Sequence, residues 1–125
     1  TTKVTDHPAV RYAGQRYYRR LLMAGVRIFE YQPRFLHLKT VLVDDWVSLG
    51  SANFDRWTLH WNLEANQNII DSGMTRTVEE SFATDFAESR EWTLQDWREL
   101  SWAHRLKIRL WGGISRSAMV WLGIR

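Results

Sequence analysis

FLHLKTVLVDDWVSLGSANFDRW, residues 35–57, carries both the fold and the chemistry of this chain. Phe35 to Val43 alternates as a strand does, which puts His37, Lys39, Val41 and Val43 on one face. Asp44-Asp45 is turn chemistry, Trp46 to Leu49 runs back as a second strand, and Gly50-Ser51-Ala52-Asn53 leaves it in a tight polar loop. A plain core hairpin has no use for an imidazole and an ammonium two residues apart. Side chains at i and i+2 of a strand point the same way, about 6.5–7 Å apart along the backbone, so His37 and Lys39 can converge on one ligand. The pair suits a phosphate: lysine offers charge and three donors, and histidine can attack or carry protons. Ser51 and Asn53 add a hydroxyl and an amide for phosphoryl oxygens, and Gly50 lets the backbone itself come close. Such a set binds a phosphate without a metal, and no carboxylate–histidine cluster stands around it at metal-ligand spacing. Neither a metal nor a cofactor is expected.

Upstream, Asp6 can cap a helix that Pro8 opens. Val10, Ala13, Tyr17, Leu21 and Ala24 recur at helical spacing, and Gly25 is placed to end the run. Val26 to Tyr31 then reads as a short strand, broken by Gln32-Pro33. A helix feeding a strand predicts an α/β layer with a partly parallel sheet. Downstream, Leu63 to Ile70 reads as another strand with Glu64, Asn66 and Asn68 on one side. Thr77 with Glu80 is spaced as a capping box for a helix to about Glu91, and Thr93 with Asp96 starts the next.

The chain has 125 residues, enough for one domain or part of one, and 45% hydrophobic residues, enough for a packed core rather than disorder. There is no cysteine, which excludes disulfides and thiolate metal sites and mildly favours a reducing compartment. The net charge of +3 fits an anionic partner without naming one. No uncharged apolar run approaches the roughly 18–20 residues that span a bilayer. The first ten residues lack the apolar region of a signal peptide and an initiator methionine, so Thr1 is not expected to be the natural start.

From Ser101 the character changes. Five basic residues (Arg105, Lys107, Arg109, Arg116, Arg125), no acidic residue and three of the chain's eight tryptophans fall in the last 25 positions. An amphipathic helix packed on the domain is the default for such a segment. The basic and tryptophan content favours instead a helix at a membrane interface, with arginines at anionic headgroups and Trp102, Trp111, Trp121 and Leu122 at the acyl boundary. Gly112-Gly113 is expected to break it into two short helices. His7, His60 and His104 read as capping, packing or surface residues.

The pattern His37-x-Lys39-x4-Asp44 followed by Gly50-Ser51-x-Asn53 resembles the HKD signature of the phospholipase D superfamily. The flanking text, DHPAVRYAGQRYYRRLLMAGVRIFEY before it and NLEAN after it, is most similar to the second half of bacterial cardiolipin synthases. The likeness is specific over about residues 5 to 70. One departure is a stretch from Asp44 to Gly50 one residue shorter than is usual in the family, which trims the hairpin turn. The resemblance implies an α/β fold, a phospholipase D-like mixed sheet flanked by helices. It implies residues 1–100 as one incomplete half, holding a single HKD repeat, with residues 101–125 as the basic, Trp-rich amphipathic tail.

The resemblance further implies two-step phosphoryl transfer. One motif's histidine attacks the phosphodiester to give a phosphohistidine; the other's protonates the leaving alcohol and then activates the incoming alcohol or water. If this is the second copy, His37 is the acid/base, and the nucleophile comes from a missing first half or from a second chain. Lys39 and Asn53, with Ser51 assisting, hold charge on the phosphoryl oxygens, Glu64 orients a histidine, and Asp44 holds the turn or neighbouring donors. The leading expectation is a bacterial phosphatidyltransferase of cardiolipin synthase type, acting on phosphatidylglycerol at the cytoplasmic membrane as a peripheral protein, with no nucleic acid. Two alternatives remain: an HKD phosphodiesterase or nuclease that pairs two single-motif chains, and a non-catalytic membrane-binding module.

Overall fold

The computed structural model describes residues 1–4, 8–53 and 63–121, with the side chains of Pro8 and residues 115–121 outside that description. The expected cap Asp6, and His7, His60 and Leu122, lie outside the described residues, as do the side chains of Arg116 and Trp121. The elements in order are α1 (Pro8–Gln15), α2 (Tyr18–Met23), β1 (Ile28–Tyr31), β2 (Thr40–Val43), β3 (Trp46–Gly50), β4 (Asn66–Ile70), α3 (Ser72–Ala87), β5 (Ser89–Trp92), α4 (Leu94–Glu99) and α5 (Trp102–Trp121). They fall into two units, one of residues 1–36 with 88–125 and one of residues 37–87. The α/β class is borne out. The strands form two antiparallel sheets, β1-β5 and β2-β3-β4, and the parallel component is a single bridge between Thr2 and Tyr31.

In the first unit the long helix expected from Val10 to Ala24 is divided. After Gly14 the chain tightens, Tyr17 N–H bonding the Gly14 carbonyl at 3.1 Å, and α2 starts afresh. Gly25 ends α2 as expected, at φ +82°. Val26 N–H reaches back to Leu21 O at 3.0 Å and Gly25 N–H to Leu22 O at 3.1 Å, the paired bonds of a Schellman cap. Tyr18, Ile28 and Trp92 form the core cluster, with Leu22, Trp97 and Leu100 against it, and the Tyr18 and Trp92 rings meet edge to face at 5.4 Å. Glu30 is buried, its charge held by Arg11 at 2.7 Å.

Two sequence expectations are corrected here. The stretch to Glu91 is not helical throughout. Ser89 to Trp92 leaves the helix and pairs with Ile28 to Tyr31, because burying Trp92 against Tyr18 requires a strand there. Gly112-Gly113 does not break α5. Just after α1, Arg16 Nη1 donates to the Gly112 carbonyl at 2.6 Å, and the Arg16 Cδ would lie 3.1 Å from a Cβ added at Gly112. The glycine serves close approach rather than interruption. The pairing of Thr93 with Asp96 holds as a capping box, Asp96 N–H donating to Thr93 Oγ1 at 3.1 Å and Thr93 N–H to Asp96 Oδ2 at 2.8 Å.

In the second unit, α3 lies over the three-stranded sheet, with Val47 fully buried and Val78 nearly so. Its start differs from the expected Thr77. Asp71 Oδ1 accepts Met74 N–H at 2.8 Å, so the helix is capped by Asp71, six residues before Thr77. Thr77 sits inside the helix and donates its hydroxyl back to the Gly73 carbonyl at 3.0 Å.

Candidate phosphate site

The hairpin around the site is the one expected. Thr40 pairs with Leu49, Val41 with Ser48, Leu42 with Val47 and Val43 with Trp46. The two-residue turn at Asp44-Asp45 puts Asp44 at φ 51°, a left-handed conformation that aspartate tolerates better than most residues. Thr75 Oγ1 on α3 donates to the Asp45 carbonyl at 3.2 Å and fastens that end of the ribbon.

At the other end the ladder continues by one bond, Gly50 N–H to Lys39 O at 3.2 Å. His37 and Lys39 precede β2 in extended chain rather than inside it, yet their side chains do converge: Lys39 Nζ lies 2.6 Å from His37 Nε2 and 3.2 Å from the His37 carbonyl. An ammonium has no lone pair, so Nε2 is the acceptor and a neutral ring carries its proton on Nδ1. His37 is exposed and Lys39 half-buried.

The loop after Gly50 is held by the strand that follows it. Ser51 N–H donates to the Ala65 carbonyl at 3.1 Å, Ala65 N–H donates to Ser51 Oγ at 3.1 Å, and Ala52 N–H donates to Asn66 Oδ1 at 3.3 Å. Gly50 pairs with Asn66 across the sheet. With Lys39 opposite Gly50 on the other side, Lys39, Gly50 and Asn66 stand in one row on one face. A Cβ on residue 50 would come within 1.9 Å of Asn66 Oδ1 and 2.4 Å of the Ala65 carbonyl. The glycine is therefore required by packing, because the Asn66 side chain and the Ala65 carbonyl occupy the space a side chain would need.

The fold thus gathers His37, Lys39 and the Ser51 loop at one end of the ribbon. Asp44 is at the opposite end, about 16 Å along the strand from Lys39 at 3.3 Å per residue. Glu64 is half-buried, two residues before β4, outside the paired part of the strand expected from Leu63. Asn53 is half-buried in the loop. Sequence reasoning did not single out Asn66 or Ala65 as supports. The signal available was a glycine whose close-approach role needs something to approach. Among the described residues no group of three or more histidine, aspartate and glutamate side chains is placed to hold a metal ion.

An α/β domain presenting a histidine–lysine pair beside a glycine-serine loop defines a phospholipase D-like domain. A family model described as the phospholipase D-like domain of cardiolipin synthase matches residues 1–86, and the chain belongs to that family. Among curated proteins it is 41% identical over 106 residues to cardiolipin synthase A of Pseudomonas aeruginosa strain LESB58, covering 84% of this chain and 22% of that protein. It is 42% identical over 103 residues to cardiolipin synthase A of Pseudomonas entomophila and of Pseudomonas putida strain KT2440, covering 82% of this chain and 21% of each. The chain therefore spans about a fifth of the length of the curated relatives it matches. No solved structure matches it.

Proposed function

We propose that the chain supplies one of two half-sites of a phosphatidyltransferase of cardiolipin synthase type. The observation that carries this reading is the convergence of Lys39 Nζ on His37 Nε2 at 2.6 Å, next to the loop that Gly50 and Asn66 position. The family and the names of its relatives support the substrate class, a phosphatidyl donor such as phosphatidylglycerol.

In this proposal a histidine from the other motif, the one that complements this chain's, attacks phosphorus. The bond from phosphorus to the glycerol oxygen breaks, leaving a phosphatidyl group on that histidine. His37 protonates the departing glycerol oxygen, then removes the proton from the incoming alcohol as its oxygen displaces the histidine. A general acid must enter the first step protonated, and the neighbouring Lys39 ammonium then interacts with the phosphoryl oxygens while His37 carries its proton. Ser51 and Asn53 add donors, Glu64 orients an imidazole, and Asp44 holds the hairpin that keeps Lys39 opposite Gly50. The second motif comes from the remainder of a longer polypeptide or from a second copy of the chain.

Attachment to the membrane is peripheral in this reading. Among the described residues no helix is long and apolar enough to cross a bilayer. Along α5, Trp102, Leu106, Leu110 and Ile114 recur every four residues and are all exposed, which gives the stripe an interfacial helix needs. The decisive experiment supplies phosphatidylglycerol vesicles to the enzyme that carries this chain together with its second motif. Cardiolipin and glycerol should form, and His37→Ala should abolish both while leaving folding intact. An unchanged product yield in the His37→Ala enzyme would remove the proposal.

A further inference from the structure

In the unit formed by residues 1–36 and 88–125, α2, α4 and α5 enclose a cleft of about 440 Å³. It is lined by Arg19, Arg98, Arg105 and Arg109 over an apolar floor of Trp97 and Ile108. Four arginines and no acidic residue line it among the described residues. Like charges gathered around one hollow repel, and the arrangement gains most when an anion occupies it.

Arg105 is already oriented: Nε donates to Leu100 O at 3.1 Å and Nη2 to Arg98 O at 2.7 Å, closing the C-terminal end of α4. Ile108 is buried and Trp97 half-buried, so an occupant's carbon skeleton has apolar surface to cover. Arg105 and Arg109 each sit one residue before a member of the exposed stripe, Leu106 and Leu110.

We propose that this cleft is a binding site for a phosphate mono- or diester, held by bidentate guanidinium contacts with its organic part on Trp97 and Ile108. It shares no residue with the His37–Lys39 pair and does not depend on that pair's chemistry. The anion can come from a lipid headgroup or from a free phosphate ester, and the two sources are separable.

The test uses the 125-residue chain and two probes: vesicles of phosphatidylglycerol in phosphatidylcholine, followed by co-sedimentation, and sn-glycerol 3-phosphate, followed through the Trp97 indole N–H resonance. The variant Arg98→Gln/Arg109→Gln removes two exposed arginines from the lining. The control Lys3→Gln/Arg34→Gln removes the same charge elsewhere, and urea unfolding shows that each variant is folded. The cleft variant should bind one or both probes about tenfold more weakly, and the control should bind as the wild type does. Weakening toward glycerol phosphate assigns a site for soluble phosphate esters; weakening toward vesicles alone assigns a headgroup site. Wild-type binding of both probes by the cleft variant overturns the proposal, and so does equal weakening in the control. Unchanged lipid transfer in the His37→Ala enzyme with cleft binding intact would sink the catalytic reading and leave this one standing.

Discussion

Replacing Gly50 with alanine tests whether the loop that follows it is set by close packing. The added methyl would lie 1.9 Å from Asn66 Oδ1 and 2.4 Å from the Ala65 carbonyl, so one of the two strands has to move by an ångström or more. The two acceptors it meets are the ones that hold the loop, Ala65 O taking Ser51 N–H at 3.1 Å and Asn66 Oδ1 taking Ala52 N–H at 3.3 Å. Overpacking of this kind costs about 1–3 kcal/mol, and each of the two hydrogen bonds contributes roughly 0.5–1.5 kcal/mol if lost. A total of about 2–6 kcal/mol follows, read as a drop in the urea midpoint at unchanged slope. The double variant Gly50→Ala/Asn66→Ala removes the nearer clash and should recover part of the loss. A Gly50→Ala chain within about 0.5 kcal/mol of wild type, the range of neutral surface changes, would refute the packing argument.

Gly113 is the counter-case: a Cβ there meets nothing within 4 Å and the residue lies inside α5, so Gly113→Ala should stabilise by up to about 1 kcal/mol in the same assay. Glu30→Gln leaves the Arg11 guanidinium without its charge partner in a buried place, and a loss of about 3 kcal/mol is expected on urea unfolding. Burial, and then Arg11 and Lys107, hold the His104 imidazolium below its ordinary value of 6.5, with Glu30 opposing. The unfolded chain then binds the proton more readily, so the contribution of neutral His104 is complete above that ordinary value and is lost as pH falls from it through the lowered folded value. His104→Gln should flatten the decline of the urea midpoint as pH falls through and below about 6.5.

What could be read in advance was whatever local chemistry determines. Gly25 ends α2 because a left-handed cap needs it, Thr93 and Asp96 cap each other across three residues, and the side chains of His37 and Lys39 meet as expected although both residues precede β2. What escaped depends on partners far along the chain. Ser89 to Trp92 is a strand only because β1 lies beside it, and Gly112 stays helical because Arg16, 96 residues away, packs on it. The supports of the site were hidden for the same reason: Asn66 and Ala65 gain their role from lying across from Gly50. The start of α3 was a local misreading. Asp71 and Thr77 both carry capping groups, and the one beside the end of β4 is used.

In the proposed function Lys39 and His37 form one unit whose reacting nitrogen is Nε2. Nitrogen-15 NMR of the histidine-labelled chain, at a pH where the ring is neutral, reads this directly. His37 should show its proton on Nδ1 and a bare Nε2, and Lys39→Met should shift the Nε2 resonance and release that tautomer. A neutral His37 with its proton on Nε2, unmoved by Lys39→Met, would contradict the account.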